Sequence, residues 1–127
     1  MKKTKNQSNA TYPDVVRCLP EAEVPIAGGR AWILQSDGRQ LVFFEFEADL
    51  KLPEHSHSYP QWGMVIEGKM ELAIDGKSRV YEKGDEYLVP AGASHGARFL
   101  EKSRVMDFFS EQSRYKPKSA NSDSSRL

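Results

Sequence analysis

Apolar residues in this chain come in short runs closed by turn residues, the pattern of strands rather than helices. Residues 31–34 form such a run, ended by Ser36-Asp37-Gly38, a hairpin signal. Residues 41–46 follow. Val42, Phe44 and Phe46 share one face, and Leu41 and Phe43 share the other, so this strand is apolar on both sides for part of its length. Residues 62–66 lead into Glu67-Gly68. Residues 70–74 lead into Asp75-Gly76, a second hairpin signal, and 79–81 return. Gly84-Asp85 turns the chain into 87–89, Pro90-Ala91-Gly92 interrupts it, and 97–100 and 105–109 complete the series. No stretch carries a sustained helical period with caps, and Pro20, Pro25, Pro53, Pro60 and Pro90 punctuate too often for long helices. Eight to ten short antiparallel strands in this length predict an all-β sandwich or barrel, and a closed form is expected.

Composition narrows the function classes. The 127 residues favour a single domain. Lys plus Arg is 18 and Asp plus Glu is 18, so the formal charge is zero and no basic stripe suggests nucleic acid. Residues 1–11 are polar and basic, and 114–127 are rich in serine and lysine. Both are expected to be flexible tails around a domain over 12–113. The start lacks the apolar stretch of a secretory signal and no run reaches membrane-spanning length, so a cytoplasmic protein with no membrane partner is expected. The single cysteine, Cys18, excludes an internal disulfide and a thiolate metal cluster. It reads as a small apolar residue.

All three histidines fall in two short segments. His55 and His57 are two apart, which on a strand points both imidazoles to one side, a spacing that suits two ligands on one metal. Gln61 lies at a further even offset, although Pro60 interrupts strict strand geometry. His95 arrives after the turn 90–94 as a third imidazole from another strand. Alone, an H-x-H pair is common and unspecific, a lone His95 is an ordinary hydrogen-bonded histidine, and Gln61 is an ordinary polar residue.

The punctuation around them is more specific. Residues 55–68 read H-S-H-S-Y-P-Q-W-G-M-V-I-E-G, which resembles the first cupin motif, with Gln61 where an acidic ligand usually stands. Residues 84–95 read G-D-E-Y-L-V-P-A-G-A-S-H, which resembles the second motif, with Phe99 in place of its closing asparagine. The resemblance spans residues 28–110. It implies the double-stranded β-helix, or jelly-roll barrel, of the cupins, with His55, His57, Gln61 and His95 holding one divalent metal. Four neutral ligands leave the ion's charge at about +2, which favours an anionic oxygen ligand. Imidazole and amide oxygen suit iron, manganese, nickel, cobalt or zinc.

Among single-domain cupins with this ligand set, the chain resembles the pectin-degradation type, which opens unsaturated uronates to their keto form. That group carries H-G-x-x-x-L-E and later D-x-F-S. This chain has His95-Gly96-Ala97-Arg98-Phe99-Leu100-Glu101 and Asp107-Phe108-Phe109-Ser110, while the prolines usual after that serine are absent. The resemblance implies a catalytic role for Asp107 and for Arg114, the latter displaced by one position. By strand parity Val105, Asp107 and Phe109 share a face. If it is the inner one, Asp107 is a general acid or base beside the metal; otherwise it is a surface aspartate. Tyr59 and Phe109 are expected to contact substrate. Trp62 and Met64 are further candidates for the barrel mouth, and Arg98 is expected in a surface ion pair. The apolar surplus on residues 41–46 suggests a homodimer. Three functions compete: a metal-dependent isomerase or lyase on a small sugar acid, an iron-dependent cupin dioxygenase, and a non-catalytic small-molecule-binding or sensory module.

Overall fold

The computed structural model describes residues 10–118 and is built almost wholly of antiparallel strands. After a single helical turn, α1 (Asp14–Arg17), come β1 (Gly29–Ser36), β2 (Arg39–Phe46), β3 (Lys51–His55), β4 (Gln61–Glu67) and β5 (Lys69–Ile74). They are followed by β6 (Lys77–Glu82), β7 (Glu86–Val89), β8 (His95–Phe99) and β9 (Ser103–Phe109). One sheet has the order β1-β2-β9-β4-β7 and the other the order β3-β8-β5-β6. The two face each other as the cupin jelly roll, the fold that the sequence resemblance implied.

The core lies between the sheets. Val42, Phe44 and Phe46 of β2 point inward with Val65, Val105 and Phe109, against Met70, Leu72 and Phe99 of the other sheet. Phe46 and Phe99 stack across the gap with centroids 4.3 Å apart. Burying each such ring contributes about 1.5–3 kcal/mol, so these pairs hold the layers together. Between β4 and β5 the chain turns at Gly68 with φ +102°, where a Cβ would strike Ser103. Only glycine fits that approach.

Three expectations need correction. The pattern showed no strand at 51–55, yet β3 forms there. Its Lys-Leu-Pro-Glu-His sequence hides it, because an edge strand pairs on one side only, tolerates proline and need not alternate cleanly. Residues 114–118, expected in a tail, pack onto the barrel. Buried Gln40 donates from Nε2 to the carbonyls of Gln112 (2.9 Å) and Tyr115 (2.8 Å) and accepts from the Tyr115 N–H (3.0 Å). Lys116 and Lys118 bond with Glu23 and Glu21, and Pro117 bridges Ala22. At the other end Ala10 is buried. The remaining tail residues, 1–9 and 119–127, lie outside the described residues. Cys18 is exposed.

The outer face of β2 is covered from within the chain. Tyr12 donates its hydroxyl to the Val105 carbonyl (2.7 Å) and meets Phe43 edge-on at 5.6 Å, while Arg17 pairs with Glu45 (3.2 Å). Part of the apolar surplus that suggested a dimer is therefore used by the segment around α1. Among the described residues no helix is long and apolar enough to cross a membrane.

Candidate metal centre

His55 is the last residue of β3 and pairs in register with His95, the first residue of β8. His57 lies just past β3, and Gln61 opens β4. The turn 90–94 is tied to the first segment by a hydrogen bond from the Gly92 N–H to the His57 carbonyl (2.7 Å). Both motif segments are thereby fixed to each other. The ring centroids of His55 and His95 are 4.2 Å apart, those of His57 and His95 are 4.9 Å apart, and donor nitrogens of all three lie within 4.8 Å of one another.

The protonation of these rings follows from their partners. Each Nδ1 faces a backbone carbonyl, Pro53 for His55 (2.9 Å), Tyr59 for His57 (2.7 Å) and Ala93 for His95 (3.0 Å). A carbonyl only accepts, so each Nδ1 carries a proton, and in the neutral ring each Nε2 presents a lone pair. Partial burial pushes His55 and His95 below the ordinary histidine value, which keeps them neutral. His95 Nε2 is buried with no hydrogen-bond partner. The Gln61 Oε1 lies 3.1 Å from His57 Nε2, and with Nδ1 protonated both atoms are acceptors. Two acceptors at that distance gain nothing from each other and everything from a cation between them. The four expected ligands therefore converge, and their donor set fits a divalent ion.

Behind Gln61 stands Asp107, fully buried on β9. Its Oδ1 accepts from the Tyr87 hydroxyl (2.7 Å). Burial pushes Asp107 up to about 6, against the opposing pull of the Tyr87 hydroxyl, the nearby Gln61 amide and Arg114. Asp107 thus faces inward, which removes the surface alternative. Tyr87 was not foreseen; the one sequence sign was Gly63 in mid-strand, a gap that admits side chains from both neighbouring strands. A Cβ there would collide with Asp107 and with the Tyr87 ring.

Arg114 reaches the site from the C-terminal segment. Its guanidinium lies 5.8 Å from the Phe109 ring and 5.0 Å from that of Tyr115, and its Nε is buried without a partner. A small inner cavity of about 40 Å³ is lined by His55, Gln61, His95, Asp107, Phe109 and Arg114. It opens past His55 and Arg114 into a mouth of about 540 Å³ walled by Val24, Pro25, Ile26, Leu52 and Pro53. Phe109 thus lies where a ligand contact was expected. Tyr59 does not line either cavity; it stacks flat on the His57 ring at 4.4 Å, steadying that ligand instead. Trp62 and Met64 point to the outer side of the sheet, since inward-facing Gly63 lies between them. Arg98 forms the expected loose surface pair, 3.9 Å from Glu71.

Comparison with known proteins agrees with this geometry. Residues 42–109, more than half of the chain, match the family described as the cupin domain. No curated protein sequence matches the chain. Among solved structures it is similar to KdgF from Halomonas sp., at 27% identity over 73% of this chain and 86% of that one, with a TM-score of 0.67. An RmlC-like cupin from Shewanella frigidimarina gives a TM-score of 0.70 at 23% identity, over 85% of this chain and 94% of that one. A salicylate 1,2-dioxygenase from Pseudaminobacter salicylatoxidans shares the fold at 16% identity and a TM-score of 0.65, over 68% of this chain and 27% of the other. By the family match, the fold and the placement of its motif residues, this chain belongs to the cupin domain family.

Proposed function

We propose that this chain is a divalent-metal cupin enzyme acting on a small, anionic, oxygenated molecule, as a sugar-acid isomerase or lyase of the kind that opens unsaturated uronates. The observation that carries the metal assignment is the set of three Nε2 lone pairs meeting one amide oxygen with no proton between them. When bound, the ion supplies Lewis acidity toward a carboxylate, ring or keto oxygen. Iron, manganese, nickel, cobalt and zinc all suit these ligands. Arg114 offers an unpaired guanidinium to a substrate carboxylate, stacked between Phe109 and Tyr115 so that it needs little reordering. The sequence around 95–110 supports the uronate class. The test is turnover of an unsaturated uronate by protein loaded in turn with each metal, followed by loss of the conjugated alkene's ultraviolet absorbance. Metal-loaded protein without turnover overturns the substrate assignment.

The mouth favours a second reading. Its walls are mostly apolar, with Glu23, Ser113 and Lys116 among them, which suits a carboxylate with a partly apolar body and an iron-dependent dioxygenase. Oxygen dependence separates the two, since ring opening proceeds under argon. A homodimer is part of the same proposal. Leu34, Leu41, Phe108, Trp62 and Leu88 lie in register, one on each strand of the five-stranded sheet, as an outward apolar row. Leu88 is 61% exposed and Leu34 52%. The row runs from leucine to leucine about a central Phe108, so a second copy related by a two-fold axis through that residue sets apolar side chains against apolar side chains along it.

A further inference from the structure

One inward position of β2 is polar. Gln40 shares strand parity with Val42, Phe44 and Phe46 and is fully buried, yet three of the four hydrogen bonds of its side chain go to the C-terminal segment. Resting on the reading of Arg114 as the group that takes a substrate carboxylate, we infer that Gln40 is a positioning residue, which holds the backbone on both sides of Arg114 and so aims its guanidinium into the site.

The bonds bracket Arg114. Gln40 Nε2 donates to the carbonyl of Gln112 (2.9 Å), before it in the chain, and to that of Tyr115 (2.8 Å), after it. Gln40 Oε1 accepts from the Tyr115 N–H (3.0 Å), which belongs to the peptide bond joining Arg114 to Tyr115. One amide thus takes up both backbone groups of Tyr115, as a neighbouring strand would. Residues 111–116 lie in no strand or helix that could pair them otherwise, and buried backbone groups need partners. Tyr115 also fixes which way round the amide sits. A backbone N–H only donates and a carbonyl only accepts, so the reversed amide would be mispaired at both.

The clamp stands level with the metal centre. Gln35, Gln40, Phe109 and Gln61 are successive register partners across β1, β2, β9 and β4. Adjacent strands lie about 4.8 Å apart, so Gln40 stands about 10 Å from Gln61 along a hydrogen-bonded row. Phe109, between them, is one of the two rings beside the guanidinium, at 5.8 Å. The other, Tyr115, is wedged edge-on against Phe44 at 5.3 Å. Backbone and ring are therefore referred to the same row as Gln61, which sets the distance from guanidinium to ion. An arginine on an unheld segment has to be ordered by each ligand that arrives. One held beforehand meets a carboxylate with that ordering already done.

The test titrates the whole zinc-loaded chain with two carboxylate probes, D-galacturonate and benzoate, followed by NMR. Gln40→Met, which removes the amide at similar volume, is expected to weaken binding of the tighter probe about five- to twentyfold, with zinc affinity kept within about twofold. It is also expected to release the Tyr115 N–H to hydrogen exchange. In an Arg114→Gln background the same change is expected to weaken binding by less than about twofold, because the group that it aims is gone. A residue that only stabilises the barrel leaves the carboxylate affinity of the folded variant unchanged. That result overturns this inference alone, and so does an undiminished effect in the Arg114→Gln background. If Gln40→Met does not fold, Gln40→Asn, whose amide stops one methylene short of Tyr115, decides on the same criteria. Wild-type protein that binds neither probe, or Arg114→Gln that binds as tightly as wild type, overturns the reading of Arg114 and this inference together.

Discussion

Replacing His95 by alanine removes one of three converging imidazoles at a position that is 3% exposed. In metal-free protein the side chain brings a hydrophobic contact together with a buried, unpartnered Nε2, whose desolvation costs about 1–3 kcal/mol. Deleting both offsets one against the other, so the metal-free melting temperature of His95→Ala should stay within a few degrees of wild type. The metal-bound state behaves differently. Four-ligand structural zinc sites contribute about 10–16 kcal/mol in all, so one ligand of four is worth about 3–4 kcal/mol, or a few hundredfold in Kd. At a metal concentration a hundred times the wild-type Kd, binding stabilises wild type by about 2.7 kcal/mol. That raises the melting temperature of a domain this size by about 10–20 °C. The same concentration should leave His95→Ala nearly unshifted. Differential scanning calorimetry with added metal and with chelator reads both numbers. An equal metal-induced rise in the variant and in wild type would refute the assignment of His95 as a ligand.

Gly63→Ala forces a methyl group onto Asp107 and the Tyr87 ring, and overpacking between rigid strands should cost about 1–3 kcal/mol in urea unfolding. Tyr12→Phe loses one buried hydrogen bond, about 1 kcal/mol, whereas Tyr12→Ala also uncovers Phe43 and should lose about 3–5 kcal/mol in the same assay. Leu88→Glu or Phe108→Glu should convert a dimer to monomer in light scattering without changing metal content, and an unchanged mass would exclude the apolar row as the interface. Arg114→Gln should raise KM for a carboxylate substrate at least tenfold while metal binding holds. An unchanged KM would remove Arg114 from substrate recognition.

The candidate metal ligands were the most legible part of the chain, because turn residues and histidines must keep fixed offsets to converge. The parity argument for His55 and His57 led to the right grouping even though His57 lies beyond the end of β3. The inward-facing β2 and β9 were also plain in the alternation of Val42, Phe44 and Phe46 and of Val105 and Phe109. Edge strand β3 was hidden by its lysine, proline and glutamate, since a strand bonded on one side is not obliged to alternate. The C-terminal segment was hidden by composition. Its serines and lysines read as solvent-exposed, and what anchors it is a buried amide, Gln40, more than seventy positions away, together with backbone bonds to residues 21–23. Tyr87 and Asp107 meet only because Gly63 leaves room on the strand between them, a steric relation that no pairwise spacing expresses.

The anchoring of residues 113–118 to Gln40 and to residues 21–23 has a consequence for how this barrel diversifies. The candidate metal ligands come from the middle of the chain, whereas the walls of the mouth are drawn largely from its two flanking segments. Selectivity for the body of the ligand and capacity for the ion are thus written in separate stretches of polypeptide. Exchanging the flanks between related barrels should transplant ligand preference while the imidazole cluster is inherited unchanged.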